Sequence, residues 1–320
     1  MPVKNADPFL KETIESIVNQ THKDWELIAV NDHSSDKTVE ILQHFSEKDE
    51  RIIVRQNSGS GIIDALSTGE SSSKGDWISR MDADDLMEVN KLSKLLSSLS
   101  NEREIATSYV KYFSDQDLGE GYKNYELWLN KLIDENNHFD EIYKECVLPS
   151  PNWLMHKRLL KELGGFSSLN YPEDYDLCFK AYSNNIKIIG VKEVLHYWRD
   201  YPDRTSRTHE NYQDNAFLPL KVKYFIELDY DPAKRLILWG AGKKGKKLAQ
   251  ILLKHQIKFD WITDNPKKLD APIFGKQLLH SDEIGPVSTQ AIIAVAGPDD
   301  QLEIKGVLKK MPNIEPFWFC

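Results

Sequence analysis

Asp82, Asp84 and Asp85 crowd one short stretch, Ser79-Arg80-Met81-Asp82-Ala83-Asp84-Asp85. Carboxylates this close repel, and each raises the pKa of the others. A divalent cation removes that cost. Mg²⁺ takes one or two protein carboxylates and fills its shell with water and phosphate oxygens, so the cluster suits a nucleotide diphosphate. The bland alternative is a solvated acidic turn in which Asp85 caps a following helix. Arg80 either meets a phosphate or compensates its acidic neighbours.

The surrounding sequence must place this cluster. Lys74-Gly75-Asp76-Trp77-Ile78 reads as a turn and a short buried strand, so the carboxylates fall where a strand ends. Pro8 to about Gln20 reads as a helix with Asp7 as N-cap and an apolar stripe of Leu10, Ile14, Ile17 and Val18. Glu26–Val30 is a buried strand ending at Asn31-Asp32; a helix from Lys37 to about Phe45 and a strand at Arg51–Val54 follow. Such alternation indicates a parallel sheet covered on both faces. Ligands of open sheets bind beyond the strands' carboxyl ends. Asp32 and Asp82–Asp85 both stand there.

From about Ser108 to Cys146 the chain is rich in Tyr, Asn, Asp and Glu, which reads as an excursion beside the active face. Gly164-Gly165-Phe166 reads as a tight turn, Glu173-Asp174-Tyr175-Asp176 as a helix start, Val191–Trp198 as a strand, and Arg204–Asn211 as a polar loop. The last ninety or so residues restart the α/β pattern. A strand at Arg235–Trp239 runs into Gly240-Ala241-Gly242-Lys243-Lys244-Gly245, then a helix, then a strand ending at Asp264. That order matches a dinucleotide-binding unit with its acidic residue about twenty positions on.

Bulk properties narrow the class. Two domains suit 320 residues. A formal charge of −9 argues against a nucleic-acid-binding surface. Cys146, Cys178 and Cys320 are far apart and odd in number, which fits a reducing compartment rather than a disulfide framework. No apolar run approaches the ~18–20 residues that span a bilayer. The expectation is a cytoplasmic protein, with peripheral association at the inner face of the membrane as its variant.

The N-terminal motifs resemble family 2 glycosyltransferases of the GT-A fold. The matching segments are Met1–Asn5, Ser16–Thr21, Glu26–Thr38, Asn57-Ser58-Gly59, Arg80–Asp85, Gly164-Gly165-Phe166 and Pro172–Leu177, in the family's order. Trp198-Arg199, Ser206-Arg207 and Trp239–Gly242 resemble a bacterial subgroup with an added C-terminal Rossmann-like domain. The implied organisation is a GT-A (nucleotide-diphospho-sugar transferase) domain over 1–230, its acceptor side at about 108–215. A small second Rossmann-like α/β domain follows over 231–320.

The resemblance implies an inverting, metal-assisted sugar transfer from a nucleotide-diphosphate sugar to a glycan or lipid-linked acceptor, in cell-surface polysaccharide biosynthesis. Donor contacts fall to Asp32, Asn57, Arg80, Asp82 and Asp84. Mg²⁺ or Mn²⁺ would sit on Asp82 and Asp84 of this DxD motif, and Asp174 would be the general base oriented by Glu173. The alternative for that pair is simple stabilisation of a helix N-terminus. Trp153 either stacks on a sugar or lies in the core. Gly240, Gly242, Gly245 and Asp264 are the candidates for a nucleotide in the C-terminal domain. Competing readings are an NAD(P)-dependent oxidoreductase built on those glycines, and a non-catalytic nucleotide-sugar-binding scaffold.

Two departures stand out. The family carries a complete first strand, central in the sheet, ahead of the Met-Pro-Val segment; the expectation is an apolar segment upstream of Met1. The family also carries a metal-contacting His two positions after the Trp-Arg pair, where this chain has Tyr201. His196 and His209 are the candidate substitutes; otherwise the aspartates and phosphates suffice.

Overall fold

The computed structural model describes residues 1–166, 172–202, 204, 216–270 and 272–320. The chain divides into two compact units. One comprises Met1–Phe139 and Cys146–Thr208, the other Asp140–Glu145 and His209–Cys320.

The first unit holds two sheets. Strands β1 (Pro2–Val3), β2 (Leu27–Asn31) and β3 (Ile52–Gln56) form a parallel sheet in that order. Strands β4 (Trp77–Ser79), β5 (Leu86–Met87), β6 (Glu104–Phe113), β7 (Trp153–His156) and β8 (Lys187–Arg199) form the other, in the order β4-β7-β6-β8-β5. Only β6 and β8 are parallel there; the β4–β7, β6–β7 and β5–β8 pairs are antiparallel. The wholly parallel sheet expected from the sequence is therefore corrected to a mixed one. Its antiparallel partners are short strands bracketing long insertions, which hydropathy does not orient. A cavity of about 630 Å³ in this unit is bounded by Met1, Leu27 and Ile28 on one side and Trp77, Ile78 and Ser79 on the other.

Local chemistry explains the elements that present the site. The helix Asp7–Val18 buries Leu10, Thr13, Ile14 and Ile17, one face at three- and four-residue spacing. Its N-cap is Ala6, not Asp7. Side chains from the neighbouring turn satisfy its first amides instead: Thr38 Oγ1 accepts from Ala6 N, and Asp36 Oδ2 accepts from Asp7 N. With Leu27, Ala29, Leu42 and Ile52 this helix closes the core beneath Asp32.

Residues 108–113, expected in the irregular excursion, are the second half of β6. The ladder to β8 continues from Glu104↔Lys187 to Phe113↔Arg199 through register shifts at Ser108, Tyr109 and Val110. The polar composition misleads because Thr107 and Ser108 are buried yet satisfied by Asn152.

The second unit is a parallel five-stranded sheet in the order β11 (Leu278–Leu279), β10 (Asp260–Ile262), β9 (Arg235–Trp239), β12 (Thr289–Ile293), β13 (Ile314–Trp318). Ile237, Trp239, Ile262, Ala291, Ile293 and Ile304 are buried in its core. Tyr143 of the Asp140–Glu145 segment stacks on Phe319 at 5.2 Å. It is a Rossmann-like α/β unit. No helix among the described residues is long and apolar enough to cross a membrane.

Candidate active site

Asp32 stands just past the end of β2 and is buried. Its Oδ1 accepts from Asn57 Nδ2 at 2.7 Å, and both oxygens lie 3.1 Å from the Gly61 amide. Lys4 Nζ is 3.3 Å from Oδ2. Burial pushes its pKa up, but these donors outweigh burial and hold the carboxylate below its ordinary range. Two of the expected donor residues, Asp32 and Asn57, are thus brought into direct contact. Gly61 serves the turn with φ +90°, a conformation costly for any side chain bearing a Cβ.

The carboxylate stretch lies between β4 and β5. Arg80 is buried; its Nε donates to Asp82 Oδ1 at 3.0 Å and its Nη1 to Glu173 Oε1 at 2.8 Å. Burial raises the Asp82 pKa, but Arg80 overrides that and holds it down. Arg80 pairs with Asp82 and Glu173 rather than with Asp84. Burial first, then the charges of Asp85 and Asp82, push its carboxyl up to about 7. Asp85 is fully buried and also pushed up to about 7, by burial above all. It caps no helix: Oδ1 accepts from Arg199 N at 2.8 Å, and Oδ2 pairs with His196 Nε2 at 3.1 Å.

Glu173 and Asp174 open the helix Glu173–Ser183. Burial, then Asp174, raise the Glu173 pKa against the pull of Arg80. Asp174 is half-buried; Oδ1 accepts from Tyr175 N, and Oδ2 accepts from Ser150 Oγ. Arg80 therefore joins the two acidic groups singled out from the sequence. Trp153 is a core residue, 2% exposed and packed near Phe166.

Several participants escape sequence reading. Tyr201 donates its hydroxyl to Asp84 Oδ2 at 3.0 Å, and Arg199 Nε donates to the Asp84 carbonyl at 2.7 Å. Arg204 is buried, and the charges of Asp85, Asp84 and Asp82 hold it protonated against burial. His196, considered above as a metal ligand, is fully buried with both ring nitrogens engaged, one by Asp85 and one by Lys91. It has no lone pair left for a cation. His209 and Ser206-Arg207 lie outside the described residues. The readable signal was position: Tyr201 stands where the family pattern places a ligand.

In the second unit, Gly240 follows β9 with φ +115° and precedes the helix Lys243–Lys254. A Cβ on Gly245 would lie 2.0 Å from the Gly240 carbonyl oxygen, so close packing requires glycine there. A Cβ on Gly242 would meet open space. Asp264 Oδ2 accepts from Trp239 Nε1 at 2.8 Å.

The profile described as "Glycosyl transferase family 2" matches residues 1–164, just over half of the chain. The chain belongs to glycosyl transferase family 2. An uncharacterized glycosyltransferase of Haemophilus influenzae is 25% identical over 275 residues, covering 81% of this chain and 85% of that protein. The putative teichuronic acid biosynthesis glycosyltransferase TuaG of Bacillus subtilis is 35% identical over 114 residues, 35% of this chain and 44% of its own. Among solved structures, residues 1–349 of S. aureus TarS in complex with UDP-GlcNAc align with a TM-score of 0.56 at 17% identity. That alignment covers 79% of this chain and 70% of the other. The mannosyltransferase PcManGT of Pyrobaculum calidifontis, in complex with GDP-Man and Mn²⁺, aligns with a TM-score of 0.51 at 16% identity, covering 72% and 63%. These likenesses establish a GT-A-type fold. Family 2 membership makes the protein a glycosyltransferase.

Proposed function

We propose that the first unit transfers a sugar, with inversion, from a nucleotide-diphosphate sugar to a glycan or lipid-linked acceptor of a surface polysaccharide. The carrying observation is Asp84: a half-buried carboxylate between Asp82 and Asp85, with the Tyr201 hydroxyl donating to one oxygen and its carboxyl pushed up to about 7. Such crowding fits a bound dication. Among the described residues no three His, Cys, Asp or Glu side chains group as a metal site. The ion we propose is Mg²⁺ or Mn²⁺, which Asp84 and Asp82 would hold with donor phosphates completing the shell. Bound there, the cation would neutralise charge on the leaving diphosphate. The solved neighbours' nucleotide-sugars, and Mn²⁺ in one of them, support the reading. TuaG supports the polysaccharide assignment.

The chain's own residues do the rest. Asp32, steadied by Asn57, offers a carboxylate acceptor to the nucleotide base. Arg80 keeps Asp82 ionised and holds Glu173 beside Asp174. Asp174 accepts the acceptor hydroxyl's proton as oxygen bonds to the anomeric carbon. The bond from that carbon to the diphosphate breaks, and its electron pair leaves with the diphosphate. One base and no covalent sugar–enzyme intermediate suffice for inversion. The second unit is proposed as an accessory nucleotide-binding-like module: Gly242 leaves open space for a ligand, Gly240 and Gly245 pack the turn that presents it, and Asp264 is the acidic candidate at the next strand end.

A thermal-shift screen of UDP- and GDP-sugars with and without Mn²⁺ tests the reading, because a ligand that binds only the folded state raises its stability. The expected result is a shift of the melting point with one donor that grows with Mn²⁺. Equal melting points for every donor, with and without the metal, would overturn it.

A further inference from the structure

Lys91 is fully buried at the start of the helix Lys91–Ser98. No carboxylate among the described residues forms an ion pair with it. An ammonium without a paired anion is an expensive core residue. Its Nζ makes two contacts, 2.8 Å to the Pro151 carbonyl oxygen and 3.0 Å to His196 Nδ1. Burial pulls its pKa down to about 7. Both the ammonium and the neutral amine supply the two N–H groups these contacts use.

Each contact leads to one side of the site. Pro151 follows Ser150, whose hydroxyl donates to Asp174. The next residue, Asn152, is fixed by hydrogen bonds with Thr107 and Ser108 of β6. On the other side, donation from Lys91 makes His196 Nδ1 an acceptor. That selects the tautomer with hydrogen on Nε2, which is donated to Asp85. Asp85 also takes the Arg199 amide, while the Arg199 guanidinium holds the Asp84 carbonyl.

We propose that Lys91 is a positioning residue that fixes the carboxylate stretch at Asp84–Asp85 relative to the Ser150 segment that touches Asp174. The proposal rests on the functional reading above. Sugar transfer requires the leaving group and the attacking hydroxyl to be placed together, and a misplacement of about 1 Å costs on the order of 10²-fold in rate. Lys91 sets that spacing through two bonds from one nitrogen, without touching donor or acceptor itself.

The test uses the full chain with Lys91→Met, which keeps length and loses both bonds, and His196→Asn, which leaves Lys91 in place and cuts the link to Asp85. Calorimetry of UDP and GDP binding with and without MnCl₂ is read below each variant's melting point, beside hydrolysis of UDP-GlcNAc and GDP-mannose. Loss of an outer partner costs about 10–100-fold in metal affinity. Both variants should therefore lose about tenfold or more of the Mn²⁺ enhancement of nucleotide binding, and Lys91→Met should also slow hydrolysis. A folded Lys91→Met protein that melts lower but keeps the parent's enhancement and hydrolysis rate overturns the proposal; Lys91 would then be structural. Should Lys91→Met fail to fold, unchanged enhancement in His196→Asn overturns it. A parent protein without any Mn²⁺ enhancement refutes the functional reading instead, which separates the two failures.

Discussion

Arg80 holds Glu173 from 93 positions away in the chain, through Nη1 and Oε1 at 2.8 Å with both side chains 5% exposed. The same guanidinium reaches Asp82 through Nε. Removing one partner of a buried pair leaves charge uncompensated, at about 3–5 kcal/mol. Arg80→Met should destabilise the first unit on that scale, measured by urea unfolding. Adding Glu173→Gln should recover part of the loss, because it removes one stranded carboxylate. Strict additivity of the two substitutions would show that the contact carries no coupling.

Asp84→Asn should abolish the enhancement of nucleotide diphosphate binding by Mn²⁺ while leaving metal-free binding near the parent's. Calorimetry with Mn²⁺ and with EDTA checks this. A variant that retains the parent's enhancement would move the metal away from Asp84.

Asp174→Asn keeps the shape of the side chain and removes its ability to take a proton. Transfer to a true acceptor should fall by roughly 10²–10⁴-fold, with nucleotide and metal binding preserved. Glu173→Gln should be milder if its task is orientation. Full transfer activity in Asp174→Asn would place the base elsewhere and make the pair structural.

Tyr201→His puts an imidazole where a phenol now donates to Asp84. A nitrogen ligand there should tighten Mn²⁺-dependent UDP or GDP binding by about tenfold, the scale on which near neighbours tune metal sites. Mn²⁺ electron paramagnetic resonance would register the added nitrogen. Weaker binding in the variant would show that the phenol itself serves the site.

His138 supplies a pH dependence away from the site. It is buried, its Nε2 has no hydrogen-bond partner among the described residues, and burial lowers its pKa to about 4. The unfolded chain takes up that proton near pH 6.5. Between those values the unfolded state binds more protons, so this group's contribution to stability falls as pH drops. The loss approaches about 3 kcal/mol at the bottom of the window. His138→Leu should remove it, so the variant should gain on the parent between pH 7.5 and 4.5 in urea unfolding. A parent–variant difference that is constant over this range would count against the assignment.

The sequence made the carboxylate cluster, Asp32 and the Glu173-Asp174 pair legible because each is a local motif at the end of an element. The second unit's strand–glycine–helix order was legible for the same reason. The connections among them were not. Arg80 gives no sign of reaching Glu173, and nothing in the sequence sets Lys91 apart from the chain's other lysines. His196 looked available because its burial depends on Asp85, 111 positions earlier. β6 runs through the buried polar pair Thr107-Ser108 into a Tyr-rich second half, yet one ladder to β8 holds both halves. Tertiary partners, not periodicity, decide such strands.

That ladder also sets the order in which the protein can assemble. The family signature ends at residue 164, before the chain has made His196, Arg199 or Tyr201. At a synthesis rate of about 5–20 residues per second, Asp84 and Asp85 leave the ribosome roughly ten seconds ahead of His196, Arg199 and Tyr201, which bond to them. Parallel pairing of β6 with β8 closes a long loop first, and such closure is intrinsically slow. A nascent chain therefore carries Asp84 and Asp85 without these partners through about half of the first unit's synthesis. The bonds that hold Asp84 and Asp85 form late, when the strand ending at Arg199 docks beside β6.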